Sequence, residues 1–148
     1  MSIEILIPLL AAAVQSGTPI LYATLGEIFT ERSGVLNLGV EGIMIMGTLT
    51  GFLVAMVTGN PVIAFLAAGL AGALTASLHG TVCLIFQGNQ VVSGLALTIL
   101  GVGVANYFGT AYVGQSTPGF SPMDFPLLSM IPVIGPIFFQ QDILVYLT

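Results

Sequence analysis

Side chains able to do chemistry are scarce in this chain. Its 148 residues hold six acids, one arginine, one histidine and one cysteine, and no lysine. A Walker A phosphate loop needs a lysine, so the chain cannot hydrolyse ATP itself. A zinc site needs clustered histidine or cysteine ligands, and His79 and Cys83 are alone of their kinds. No serine–histidine–acid grouping has a supporting motif, so no catalytic residue, no metal ligand and no cofactor is assigned to this chain. What remains is amides, hydroxyls and a few carboxylates, which suit the passage of an uncharged polar solute better than bond-making chemistry. The candidates are Asn37 and Glu41 in the stretch 33–47, Gln15 and Thr18 in a polar notch, and Gln90 and Ser93 at the start of a later apolar run. Polar groups at membrane depth are costly and mark a pathway or a partner. Each also has a plainer reading, with Glu41 in interfacial water beside a helix cap and the notch a tolerated proline kink.

The elements that must position these residues follow from composition. The chain is 56% hydrophobic and 5% charged, with a mean hydropathy of +1.09. Soluble domains carry about 25% charged residues, so the chain reads as an integral membrane protein. The net charge of −5 with a single arginine leaves no basic patch for nucleic acid. Continuous apolar runs, such as 62–68, argue against the alternating pattern of a membrane β-barrel. The N-terminus has no basic segment and carries Glu4, so it does not read as a cleavable signal.

The fold class expected is an all-α, polytopic transmembrane helical bundle, with about four complete helices and the start of a fifth. The spans are placed near 3–25, 36–57, 61–86 and 91–112. The first contains the notch Gln15-Ser16-Gly17-Thr18-Pro19, and Pro19 removes a backbone hydrogen bond. Residues 26–34 read as a loop because Glu27, Glu31 and Arg32 crowd there. Asn60 and Pro61 form a cap and first helical residue for the third span. Small residues mark helix-packing faces: Gly47 and Gly51 in the second span, Ala68, Gly72, Ala76 and Gly80 in the third, and Gly101, Ala105 and Gly109 in the fourth. His79 lies beside the third-span stripe and reads either as a proton relay or as a bond to a neighbouring helix. Five prolines make 113–141 a proline-rich loop lying against the membrane surface, with room for a short interfacial helix. Residues 142–148 begin an apolar run too short to cross about 30 Å of hydrocarbon, and read as a truncated fifth span. Arg32 places the 26–34 loop in the cytoplasm by the positive-inside rule, which puts 113–141 outside.

The motif Glu31-Arg32-Ser33-Gly34-Val35-Leu36-Asn37-Leu38-Gly39-Val40-Glu41-Gly42-Ile43-Met44 resembles the membrane permeases of bacterial ABC importers, in the group serving branched-chain amino acids, ribose and nucleosides. Leu78-His79-Gly80 and the run Gln90-Val91-Val92-Ser93-Gly94-Leu95-Ala96 agree with its simple-sugar and nucleoside subgroup. The resemblance implies a permease of about twice this length, of which this chain is the N-terminal half, in a bacterial plasma (inner) membrane. It implies a second permease subunit, ABC ATPase subunits on the cytoplasmic side and an external substrate-binding lipoprotein as partners. The coupling loop of the family lies in the other half. Two rival readings are a secondary transporter or channel subunit, for which Glu41 would be the coupling carboxylate, and a non-transporting membrane scaffold.

Overall fold

The computed structural model describes residues 3–147. The described chain is mostly helical. Helix α1 runs Ile3–Arg32, α2 Val40–Thr58, α3 Pro61–Gly80 and α4 Gln90–Gly109. Two further short helices, α5 (Ile134–Phe138) and α6 (Ile143–Tyr146), and two antiparallel two-residue strands, β1 (Met123–Asp124) and β2 (Gln140–Gln141), follow. Among the described residues, four stretches are long and apolar enough to cross a membrane: Ile5–Arg32, Val40–Thr58, Pro61–Ile85 and Gln90–Tyr112. Only 6–17% of each is buried within the chain, so the large apolar side chains point outward, as they do when the surroundings are lipid. This is an all-α, polytopic membrane protein.

The helix bounds correct the sequence reading in two places. Residues 26–32 are helical, not a loop. The charges of Glu27, Glu31 and Arg32 mislead, because all three residues accept helical geometry and Arg32 sits in the last turn, where a cation complements the helix dipole. The chain turns only at Ser33 and Gly34, where Gly34 takes φ +85°. The second span begins at Val40 and not at 36, because residues 35–37 have no regular structure and Leu38-Gly39 form a turn. The notch does not break α1, which continues through both Pro8 and Pro19.

The described chain divides into two compact units. One is made of Gly26–Gly119. Its core is α2, flanked by α3 and α4. Gly47 and Gly51 lie against α3: a methyl added at Gly51 would stand 3.0 Å from the Ala68 Cβ, and one at Gly47 3.2 Å from the Ala68 carbonyl oxygen. Against α4 the approach is closer. A methyl at Gly42 would meet the Leu97 carbonyl oxygen at 2.5 Å, and one at Gly101 the Gly42 carbonyl oxygen at 2.7 Å. Glycine is required at that crossing because backbone meets backbone. Of the other small residues expected to pack, Gly72 faces Ile43 and Gly109 faces Leu49 at ordinary distance, and the space at Gly80 is open. Asn60 caps α3, its Oδ1 accepting from the Val62 and Ile63 N–H groups at 2.9 and 3.3 Å. Past Gly80 the helix widens into a π turn over Thr81–Ile85, closed by the Phe86 N–H on the Thr81 carbonyl. A 3-10 turn, Thr110–Tyr112, ends α4.

The other unit comprises the described residues of Met1–Leu25 and Phe120–Thr148. Within the proline-rich region, expected as an ordered loop with room for a short helix, the structure has the short helix α5 and also a two-stranded pairing. Its two strands pair Met123 with Gln141 and Asp124 with Gln140. A γ-turn at Val133 (φ +71°) starts α5, with the Ile134 N–H on the Pro132 carbonyl at 2.9 Å. The Asp142 Oδ1 caps α6 by accepting from the Leu144 and Val145 N–H groups at 2.9 and 3.2 Å. Tyr22 Oη donates to the Leu144 carbonyl at 3.1 Å.

Candidate functional site

Lipid cannot satisfy exposed backbone groups, so non-helical chain within a membrane protein needs partners from the protein. The irregular piece between α1 and α2 obtains them from side chains of three helices. Gln90, the first residue of α4, accepts the Leu36 N–H at 2.7 Å and donates to the Gly34 carbonyl at 3.4 Å. His79 of α3 lies 3.3 Å from the Leu36 carbonyl through Nε2 and 3.0 Å from the Ser93 hydroxyl through Nδ1. A carbonyl only accepts, so Nε2 must be the donor in its bond to Leu36, while the Ser93 hydroxyl can accept from Nδ1 or donate to it. Thr98 Oγ1 donates to the Leu38 carbonyl at 3.3 Å. From α1, Glu27 Oε1 accepts the Asn37 N–H at 3.1 Å. The Asn37 side chain folds back on its own turn, Oδ1 accepting the Gly39 N–H at 3.1 Å.

Three of the six pathway candidates, Asn37, Gln90 and Ser93, thus come together with His79 in one clasp around residues 34–38. The side chains of Asn37, Gln90 and His79 bond the chain's own backbone, and Ser93 bonds the His79 ring. Asn37 and His79 are buried, at 9% and 4% exposure. His79 is bonded to a neighbouring helix through Ser93, with Cys83 Sγ 3.5 Å from its ring. Sequence reasoning gave a bond to a neighbouring helix as one of two readings of His79 but did not name its partners, which lie 14 and 43 residues away. Glu27 was read as a loop charge; its Oε2 is buried and makes no hydrogen bond.

Glu41 stands apart from the clasp. It is exposed in the first turn of α2, where the helix dipole favours a carboxylate. It borders a cleft of about 450 Å³ that runs past Thr48 to Phe52 over the small residues Ala105 and Gly109. Phe52 meets Tyr112 edge to face, with ring centroids 6.2 Å apart.

Gln15 and Thr18 belong to the other unit and line different clefts. Thr18 is buried, donates to the Val14 carbonyl at 3.1 Å, and borders an apolar cleft of about 760 Å³ with Phe138 and Tyr146. Gln15 borders a smaller one, about 310 Å³, with Gln140, Gln141, Asp142 and Phe120. The last four were missed. Their signal was a hydrogen-bonding triplet, Gln140-Gln141-Asp142, between two apolar runs.

The arrangement is a helical membrane scaffold with clefts between its elements and a connection between its first two helices held by side chains. Comparison with known proteins names the kind. The profile of the family described as "Branched-chain amino acid transport system / permease component" matches residues 9–144. The chain belongs to this permease family. The permease is 43% identical over 143 residues to a protein named "Putative glucose ABC transporter permease protein" of Haloferax volcanii, covering 94% of this chain and 44% of that one. It is 34% identical to the guanosine ABC transporter permease protein of Bacillus subtilis, covering 94% and 47%. It is 31% identical to the nucleoside ABC transporter permease protein of Lactococcus lactis, covering 84% and 42%. The permease sequence thus spans just under half the length of the curated relatives it matches. No solved structure matches it.

Proposed function

We propose that this chain is a membrane-spanning component of an ATP-driven importer for a nucleoside or a simple sugar. The family match over residues 9–144 carries the reading, and relatives named for glucose, guanosine and nucleosides narrow it. The chain supplies the route and not the energy: ATP is hydrolysed by separate ABC ATPase subunits, and solute arrives from an external substrate-binding lipoprotein. A second permease subunit completes the pathway, which works by alternating access. Small-residue crossings such as Gly42 on Gly101 support movement of helices as units, because closely fitted backbones transmit displacement. The setting is the bacterial plasma membrane, with the Arg32 turn on the cytoplasmic side and the region after Val113 outside.

Of the six polar candidates, Glu41, Gln15 and Thr18 are the ones bordering clefts away from the clasp. They are proposed to line the route, while Asn37, Gln90 and Ser93 hold the connection between α1 and α2 in place.

The test is reconstitution of the full permease into vesicles with its ATPase and binding protein. Uptake of guanosine or glucose that requires ATP is the expected outcome. Uptake driven by an ion gradient without ATP would make the protein a secondary transporter. No uptake by correctly inserted protein would leave the scaffold reading.

A further inference from the structure

We infer that the cleft between Gln15 of α1 and the Gln140–Asp142 segment binds an uncharged, hydroxyl-bearing solute, and that it rejects phosphorylated forms of the same solute. This rests on the permease reading above and names the side chains that would touch the cargo.

The cleft holds about 310 Å³, at the small end of the roughly 300–1,000 Å³ range of small-molecule sites. Its lining brings together three side-chain amides and a carboxyl, Gln15, Gln140, Gln141 and Asp142, beside the ring of Phe120. The clefts at Glu41 and Thr18 are lined mostly by aliphatic and aromatic residues.

The lining is also built. Gln141 is buried, at 5% exposure, and its Nε2 donates to the Ala11 carbonyl at 3.2 Å and the Ile137 carbonyl at 2.8 Å. Its own N–H donates to Tyr146 Oη at 2.9 Å. These bonds fix residue 141 against α1 and so set the positions of its neighbours, Gln140 and Asp142. The Asp142 carboxyl is held by its two bonds to the first turn of α6. Gln15 and Gln140 are exposed at the cleft. Pro19 has no N–H, so the Gln15 carbonyl also lacks its ordinary helical donor.

The chemistry follows from the groups present. A primary amide both donates and accepts, as a hydroxyl does, and a carboxylate accepts from two hydroxyls. Phe120 offers an apolar face to a sugar ring or a base. None of the residues lining the cleft is basic. A phosphate would enter beside Asp142 with no cation in the lining to meet it, and like charges in such a place are disfavoured.

Cysteine protection tests this. Gln15→Cys and Gln140→Cys are placed one at a time in the full permease carrying Cys83→Ser, and the rate of reaction with a water-soluble thiol reagent is measured in membranes. Saturating guanosine or glucose is expected to slow the reaction at least fivefold at one or both positions. Guanosine monophosphate at the same concentration should slow it less than twofold. Met130→Cys, at an exposed position outside the cleft, should be unaffected by all three. Unprotected cysteines in a protein that still takes up solute with ATP would overturn the cleft and leave the permease reading standing. Protection by the monophosphate equal to that by guanosine would overturn the selectivity. Protection without any ATP-dependent uptake would uphold the cleft and overturn the importer reading. Two independent positions guard against one variant failing to insert.

Discussion

Gly42→Ala should destabilise the protein although alanine is the better helix former. The added carbon would lie 2.5 Å from the Leu97 carbonyl oxygen, 2.7 Å from the Thr98 Cα and 2.8 Å from the Leu97 carbonyl carbon, where ordinary contact begins at 3.4 Å. All three are backbone atoms, so no side chain can rotate away, and α2 must move from α4 by about 0.9 Å at closest approach. Overpacking of a close-fitted contact costs about 1–3 kcal/mol, and the rigid neighbours put this one near the top. The gain in helix propensity returns about 1 kcal/mol. The net loss is about 2 kcal/mol, or roughly 4–8 °C in thermal midpoint at about 2–4 °C per kcal/mol. Gly103→Ala is the matched control. It sits in α4 with open space around it, so only the propensity term applies and the midpoint should rise by about 2–4 °C. Gly101→Ala should resemble Gly42→Ala. The double variant should lose less than the two losses added, because the first substitution already separates the helices. The assay is the thermal midpoint of detergent-purified protein, followed by loss of the monodisperse size-exclusion peak. Equal midpoints for Gly42→Ala and Gly103→Ala would refute the backbone-on-backbone crossing.

Three further outcomes concern the clasp. Glu27→Gln keeps an oxygen for the Asn37 N–H and removes the formal charge from a side chain whose Oε2 has no partner, so its midpoint should equal or exceed that of the parent. Glu27→Leu removes the acceptor as well and should cost about 1–3 kcal/mol; a Leu variant as stable as the Gln variant would show that the Asn37 bond carries nothing. His79→Ala should cost about 2–4 kcal/mol, since it opens a cavity and leaves the Leu36 carbonyl and Ser93 hydroxyl without their partner. A midpoint within about 1 °C of the parent would detach His79 from the clasp.

The class of this protein was legible in its residues, because it depends on quantities that add along the chain. Long apolar runs with few charges leave no way to make a soluble surface, and lipid then demands helices. The Asn60–Pro61 start of α3 was equally legible, since an N-cap acts on backbone groups two and three residues away. Charge density misplaced the end of α1, because Glu27, Glu31 and Arg32 are compatible with a helix as well as a loop. The four-residue glycine spacing marked Gly47 and Gly51 as a packing face, and the structure supplies Ala68 as what they meet. It overlooked Gly42, whose need for glycine comes from Leu97 and Thr98 on a helix more than fifty residues away.

The polar residues show the division most sharply. That Asn37, Gln90, Ser93 and His79 would each need a partner followed from their types alone. Which partner they take did not: Leu36 is 43 residues from His79 and 54 from Gln90. The same amide chemistry at Gln15 and Gln140 borders an open cleft and not an internal bond. Only the path of the backbone decides between those fates, because a hydrogen bond acts over about 3 Å and nothing in the sequence measures that distance.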